Sequence, residues 1–290
     1  MPLSFQIATD STTDLTAPLY REHSITVLPL HFAIDGTEFL DGWSSMTPEK
    51  FFGLLRSGKI STTSAVNFGQ FIEAFTPILE RGEDILYLGF TGALSSTSPT
   101  AEIAAVELRA KYPARRIVVI DTLCASAGEG LLVLLAARRR DRGESLEQTA
   151  DWVREHAPRV QHWFTVDSLS HLYRGGRLSA VSAIVGGALG IKPVLTVTGS
   201  GRLAPAAKVR GRRAALLSLA ARLEENGYDP HAFPEIIIVH ADAGEDARFI
   251  AGEILGRHPG AKISFSSLGA VIGSHTGPGT AAVFFLGARR

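Results

Sequence analysis

Cysteine is all but absent, with Cys124 the sole example in 290 residues. One thiol can make neither an internal disulfide nor a multi-thiolate metal site, so disulfide scaffolds and zinc ribbons are excluded. No base is evident in the sequence to activate it, and Cys124 reads as a small buried hydrophobe. An excess of either charge is also missing. Lys plus Arg total 29 and Asp plus Glu total 29, a formal net charge of zero. Nucleic acid and polybasic membrane contacts demand a basic excess, so neither is expected as a partner. Long apolar runs are lacking as well. Residues 131–137 are too few to span a bilayer, and residues 180–198 are broken by Lys192-Pro193. The first ten residues carry no basic n-region and read as a strand rather than a signal peptide. The expectation is a cytoplasmic protein without stable membrane insertion.

Several chemical signatures are missing too. There is no Walker-type phosphate loop, no Gly-x-Ser-x-Gly elbow and no His-Glu-x-x-His helix. Gly128-Glu129-Gly130 lacks the third glycine of a dinucleotide fingerprint, and His156, His162 and His171 are dispersed. No metal and no cofactor is expected.

What is present is an α/β rhythm. Strand patterns at residues 5–9, 84–90 and 116–121 alternate with helices, which predicts a parallel sheet covered on both faces. Residues 25–34 read as one β-rich run, and Asp35-Gly36 as a hairpin turn. Thr47-Pro48, Asn67 and Ser98-Pro99 read as helix starts, the last opening a helix over residues 100–111. Beyond Ala157-Pro158 the texture changes. Strands flank Gly199-Ser200-Gly201 in a hairpin, and antiparallel neighbours mix with helical crossovers. The fold class is therefore α/β with two domains: a parallel-sheet, three-layer domain over residues 1–160 and a mixed-sheet domain over residues 161–290.

Ligands of open α/β sheets sit beyond the carboxyl ends of the strands. Residues 10–14, 61–64, 91–98 and 121–122 are read at such ends, and the second and third are dense in Ser and Thr. Hydroxyls with the exposed N–H groups of a helix start can hold an anion, or can simply cap the helix. Asp10 and Asp14 could be a carboxylate pair for acid–base work, but capping explains them as well. The sharpest feature is Gly273-Ser274-His275-Thr276-Gly277-Pro278-Gly279, read as an irregular loop framing one histidine. Gly186, Gly187 and Gly190 among aliphatic residues suggest either tight packing or a wall of an apolar pocket.

Taken in order, these segments resemble the DegV family of bacterial fatty-acid-binding proteins. The resemblance runs through residues 10–15, Thr63-Ser64, Leu94-Ser95 with Thr97, and Tyr173-Arg174-Gly175-Gly176-Arg177-Leu178. It continues in Ile191-Lys192-Pro193, Lys208-Val209-Arg210 and residues 275–279. It implies one long-chain fatty acid bound between the two domains, with its acyl tunnel in the second domain near Ile184, Val185 and Leu189. It places Thr63, Ser95, Ser96 and His275 at the carboxylate, supported by Asp10, Ser11, Ser64, Thr276 and Gly277. It further implies a non-catalytic subunit that presents the acid to a separate ATP-dependent fatty acid kinase, with Arg174 and Arg177 docking that partner. Burial of about fifteen methylenes gives on the order of 12 kcal/mol before costs. The head group then has only to avoid being buried unpaired. Two departures stand out. The family's Gln-Pro after Thr-Ser is Ala65-Val66 here, and its Gly-Thr-Tyr-Gln-Ser after Ser95 is Ser96-Thr97-Ser98-Pro99-Thr100. Two other readings remain: a hydrolase or phosphotransferase using Asp10, Asp14 and His275, and a lipid-loaded sensor that regulates a partner.

Overall fold

The computed structural model describes residues 5–42, 44–177 and 190–290. Its first half runs β1 (Phe5–Asp10), α1 (Ala17–Glu22), β2 (Thr26–Leu28), β3 (His31–Ile34), β4 (Thr37–Leu40), α2 (Pro48–Arg56) and β5 (Ser61–Ser64). It continues with α3 (Phe68–Glu80), β6 (Asp84–Gly89), α4 (Thr97–Lys111), β7 (Ile117–Asp121), α5 (Ala127–Asp141) and α6 (Leu146–His156). A parallel sheet in the order β2-β1-β6-β7 forms its centre, as the strand–helix alternation requires.

The run at residues 25–34 is two strands, not one. Pro29 interrupts it and the Leu30 N–H turns onto Ser11 Oγ at 3.1 Å. The chain thereby leaves the parallel sheet and enters a small antiparallel one, β4-β3-β5. The hairpin turn there is the expected Asp35-Gly36, both at positive φ (51° and 80°). Residues 61–64 are not a loop beyond a strand but the strand β5 itself, with Thr63 opposite Phe32. Asn67 and Gln70 close a capping box at the start of α3, and Ser145 and Gln148 do the same for α6. Helix α4 begins three residues before the expected start, at Thr97. Ser98 is not its cap, because its hydroxyl donates to Phe90 O at 2.5 Å, while Ser95 Oγ accepts the Thr97 N–H at 3.2 Å. Pro99 is tolerated because first-turn N–H groups lack helical partners anyway.

The second half runs β8 (Val160–Thr165), α7 (Ser170–Arg174), β9 (Ile191–Val197), β10 (Leu203–Arg210), α8 (Arg212–Glu225), β11 (Glu235–His240), α9 (Gly244–Arg257), β12 (Lys262–Ser267), α10 (Ala270–Thr276) and β13 (Ala281–Leu286). Its mixed sheet has the order β10-β9-β8-β13-β11-β12, with only β11 and β12 parallel. One face carries α8 and α9 over a core built on Val194, Leu219, Ile238 and Phe285. The other face turns toward the first half. The glycine-rich tail, expected to be an irregular loop, is largely the helix α10, with glycines at both ends and His275 in its last turn.

Helix α5 joins the halves. It packs against β1 and β6 on one side and β8, β11 and β13 on the other, so it is buried almost all round. That placement explains Gly128 and Gly130. A Cβ on Gly128 would lie 2.2 Å from His162 Nε2, and one on Gly130 would lie 2.5 Å from Thr13 O. Among the described residues no helix is long and apolar enough to cross a membrane.

Gly128→Ala tests this sandwich. In an open helix the change would stabilise by about 1 kcal/mol. Here the overpacking should instead cost about 1–3 kcal/mol, seen as a lowered thermal midpoint in calorimetry. A raised midpoint would show that α5 is not gripped on both sides.

Candidate functional site

A cavity of about 260 Å³ lies between the halves, walled by Leu30, Phe90 and Ala125 from the first and by Phe164, Val197 and Phe284 from the second. Thr63, Ser95, Ser96 and His275 all line it, and so do Thr276 and Arg177. Ile184, Val185 and Leu189 lie outside the described residues.

Thr63 projects from β5 and His275 from the last turn of α10. Their Oγ1 and Nε2 atoms are 2.8 Å apart. The other ring nitrogen, Nδ1, is buried with no partner among the described residues. Gly175 makes room for it, since a Cβ there would sit 2.2 Å away. Burial first, and the nearby Arg177 guanidinium second, push the His275 pKa down from 6.5 to about 4. The ring is neutral at pH 7.

Ser95 faces the same space. Its hydroxyl lies 3.0 Å from Thr97 Oγ1, and its own N–H is spent on Thr91 O at 3.2 Å. The Ser96 N–H, at the start of the fifteen-residue helix α4, donates to no group among the described residues. Arg177 does not point outward as a docking residue would. It lies in the cavity wall, donating through Nε to Leu94 O (3.1 Å) and through Nη1 to Gly175 O (2.6 Å). It thus ties the Ser95 loop to the glycine that abuts His275. Arg174 is exposed, beside Tyr173 at 71% exposure. Ser64 faces solvent outside the cavity. Gly277, at φ 80°, lies against the His171 ring and closes α10.

Asp10, Asp14, Asp41 and Glu129 are all buried, and among the described residues no Lys or Arg pairs with any of them. Asp10 accepts from the Thr12 N–H (3.0 Å), the Thr12 hydroxyl, the Tyr87 hydroxyl (2.9 Å) and the Phe90 N–H (3.3 Å). Burial raises its pKa, but these donors pull it back. Glu129 is the opposite case. Thr9 Oγ1 lies 2.8 Å from Leu88 O and 3.0 Å from Glu129 Oε1, and one hydroxyl hydrogen cannot serve both acceptors. A proton on Glu129 resolves this, and burial together with the Asp10 charge raises its pKa well above the ordinary value. The Thr9 geometry thus places a proton on Glu129, while Asp10 is surrounded by donors.

This cluster reaches the cavity wall through Thr12, which contacts Asp10 and Glu129, through Ser126, which donates to Asp14 at 2.5 Å, and through the Phe90 and Val271 N–H groups on Asp10 and Asp41. Asp10 and Asp14 do not line the cavity, so the arrangement of Asp10, Asp14 and His275 around one reacting centre does not form. Ser11 is likewise behind the wall, donating to Asp41 at 2.9 Å. Cys124 is buried, and its thiol pKa is pushed up to about 12 by burial.

Two residues important here, Ser126 and Asp41, gave no sequence signal, and two others, Thr12 and His162, were seen without a role of their own at the site. Thr12 was hidden in a segment that reads as a cap. Ser126 sits at φ 53°, a strained left-handed position for a non-glycine residue that no sequence pattern signals. His162 Nε2 accepts the Ala125 N–H at 3.2 Å, linking β8 to the loop before α5.

A profile described as "Uncharacterised protein, DegV family" matches residues 4–288. A DegV domain-containing protein of Clostridium perfringens is 43% identical over 284 residues, covering 98% of this chain and 97% of the relative. Two solved structures are similar throughout. One is described as fatty acid binding of a DegV family protein from Thermus thermophilus, with TM-score 0.88, 30% identity and coverage of 98% and 99%. The other is DegV, a fatty acid binding protein from Bacillus subtilis, with TM-score 0.85, 25% identity and coverage of 98% and 99%.

Two measurements check the charge states. The His275 ring protons should titrate near pH 4 by NMR; a midpoint near 6.5 would mean a solvated ring. A buried acid with a raised pKa loses stability as pH climbs from its unfolded value, about 4.3 for Glu, through its folded one. Glu129→Gln should therefore raise the thermal midpoint at pH 8 and leave it nearly unchanged at pH 4. A lowered midpoint at pH 8 would mean Glu129 is ionised in the folded protein.

Proposed function

This chain belongs to the DegV family, and from that premise we propose that it binds one long-chain fatty acid between its two domains, residues 1–160 and 161–290. The observation that carries the reading is the cavity itself, with apolar walls and a small hydroxyl-and-imidazole cluster at Thr63, Ser95 and His275. The relatives from Thermus thermophilus and Bacillus subtilis, described as fatty acid binding, support it.

Burial of the alkyl chain along Leu30, Phe90, Phe164 and Phe284 supplies most of the affinity. The carboxylate takes its hydrogen bonds from the Thr63 and Ser95 hydroxyls and the Ser96 N–H, and His275 acts through Thr63. With its proton on Nε2, the neutral ring donates to Thr63 Oγ1 and leaves the buried Nδ1 as a lone pair rather than an orphaned N–H. The Thr63 hydrogen is then turned to the ligand. Arg177 lends positive potential from the wall without clamping the carboxylate.

In this reading the protein is a carrier in the cytoplasm, not an enzyme. The carboxylate oxygen stays uncoordinated by arginine, so it can act as a nucleophile when a separate ATP-dependent kinase docks and transfers a phosphoryl group to it. Arg174, exposed beside Tyr173, is the docking candidate on this side of the molecule.

Native mass spectrometry of the purified protein, before and after organic extraction, should show a removable C14–C18 acid at one per chain. The double change Ser95→Ala with His275→Ala removes one charge-assisted hydrogen bond of about 1.5–3 kcal/mol and the imidazole that orients Thr63, and should weaken binding by a few kcal/mol at most. Absence of any bound or rebinding acid would exclude the carrier reading; a double variant that binds as the wild type does would move the carboxylate elsewhere.

A further inference from the structure

Helix α10, which carries His275, is anchored at its start by residues far away in the chain. Asp41 Oδ1 accepts the Ala270 N–H at 2.9 Å and the Val271 N–H at 3.4 Å, and Asp14 Oδ1 accepts the Gly269 N–H at 2.7 Å. Both carboxylates come from the first domain, and α10 belongs to the second. Ser11 fixes the other Asp41 oxygen at 2.9 Å and is itself held by the Leu30 N–H. Gly269 lets them approach, since a Cβ there would lie 2.7 Å from Asp14 Oδ1 and 3.3 Å from Asp41 Oδ1. At the far end of the same short helix, His275 meets Thr63, and the Ser274 and Ser61 hydroxyls are hydrogen-bonded at 2.7 Å. The helix is thus held by the first domain at both ends.

We infer that Asp41, seconded by Asp14, is a positioning residue for His275: by capping α10 across the domain interface it sets where the imidazole meets Thr63, whose hydroxyl faces the ligand. This rests on the fatty-acid reading for its ligand, but its geometric core does not. Two orphan N–H groups at the start of a seven-residue helix are satisfied by one buried carboxylate, which also meets the positive end of the helix dipole. Without it the first turn loses its anchor, and so short a helix has little cooperativity of its own to hold the last turn in place. The charged and titratable groups around this unit are Asp14 beside Asp41, Asp10 and Glu129 behind Asp14, Arg177 beside His275, and His171 packed on Gly277. Asp41 has a pKa raised by burial to about 6, so it is mostly ionised at pH 7.5.

The test compares Asp41→Ala, Asp41→Asn and Gly269→Ala with wild type, reading the His275 NMR titration without ligand and the oleate affinity by calorimetry. Asp41→Ala should move the His275 midpoint from about 4 toward 6.5 and weaken oleate about tenfold. Asp41→Asn keeps an acceptor for both N–H groups and should stay within about threefold of wild type. Gly269→Ala leaves both carboxylates intact but forces the helix start away from them, and should move the midpoint the same way as Asp41→Ala. A folded Asp41→Ala protein with wild-type midpoint and affinity overturns the inference. If Asp41→Ala does not fold, an unshifted midpoint in Gly269→Ala overturns it. Should the wild type bind no oleate, the fatty-acid reading falls, and the midpoint shifts alone decide whether Asp41 positions His275.

Discussion

The site depends on one polar contact across the domain interface: buried carboxylates of the first domain capping α10 of the second. Asp14 and Asp41 are compensated by backbone N–H groups and hydroxyls rather than by a cation. Such compensation is directional, since each donor has to sit near 3 Å and in line. It therefore fixes an angle between domains in a way that apolar packing alone would not. Around this contact the other features fall into place. Helix α5 fills the space between the two sheets, Gly128 and Gly130 let it approach, and the strained loop before it is held by His162. Arg290 reinforces that loop, donating to Leu123 O at 3.0 Å and to Ala157 O at 2.9 Å.

The electrostatics of the cavity follow the same economy. Its polar groups are neutral hydroxyls, the neutral imidazoles of His162 and His275 and peptide N–H groups, with Arg177 already engaged by two carbonyls. An anionic head group meets hydrogen bonds there rather than a basic cluster. For a ligand that is mostly hydrocarbon this suffices, because the apolar chain carries the affinity and the polar end needs only to be satisfied. A chain of zero net charge is thus compatible with an anionic ligand. The acidic groups behind the wall stay harmless because Glu129 keeps its proton and Asp10 is surrounded by donors.

Much of the fold was legible where local rules decide. The parallel sheet, the Asp35-Gly36 hairpin, the Thr47-Pro48 start and the Asn67 capping box each follow from residues adjacent in sequence. Rules of that kind fail where a distant partner wins. Ser98 looked like a cap but spends its hydroxyl on Phe90 O, and residues 61–64 became a strand because β3 offered an edge. The tail around His275 looked irregular because glycine suggests loops. Gly269 and Gly273 are instead demanded by close neighbours, the two aspartates and the rings of Phe51 and Phe52. The segments holding Thr63 and Ser95 stood out as hydroxyl-dense and His275 as a histidine framed by glycines, but only the ordered resemblance to a family joined the three at one carboxylate, since single hydroxyls and one histidine carry no specific spacing. Asp41, in an unremarkable Leu-Asp-Gly-Trp segment, gave no signal, because its role exists only once the two domains meet.

The most direct measurement is a crystallographic density map of the protein as purified, read in the cavity between the domains. A bound fatty acid gives a continuous, unbranched density along Leu30, Phe90 and Phe284 that ends in a planar head within hydrogen-bond distance of Thr63 Oγ1 and Ser95 Oγ. A cavity filled by ordered water alone, or by a polar ligand whose charged end lies away from His275, would contradict fatty-acid binding.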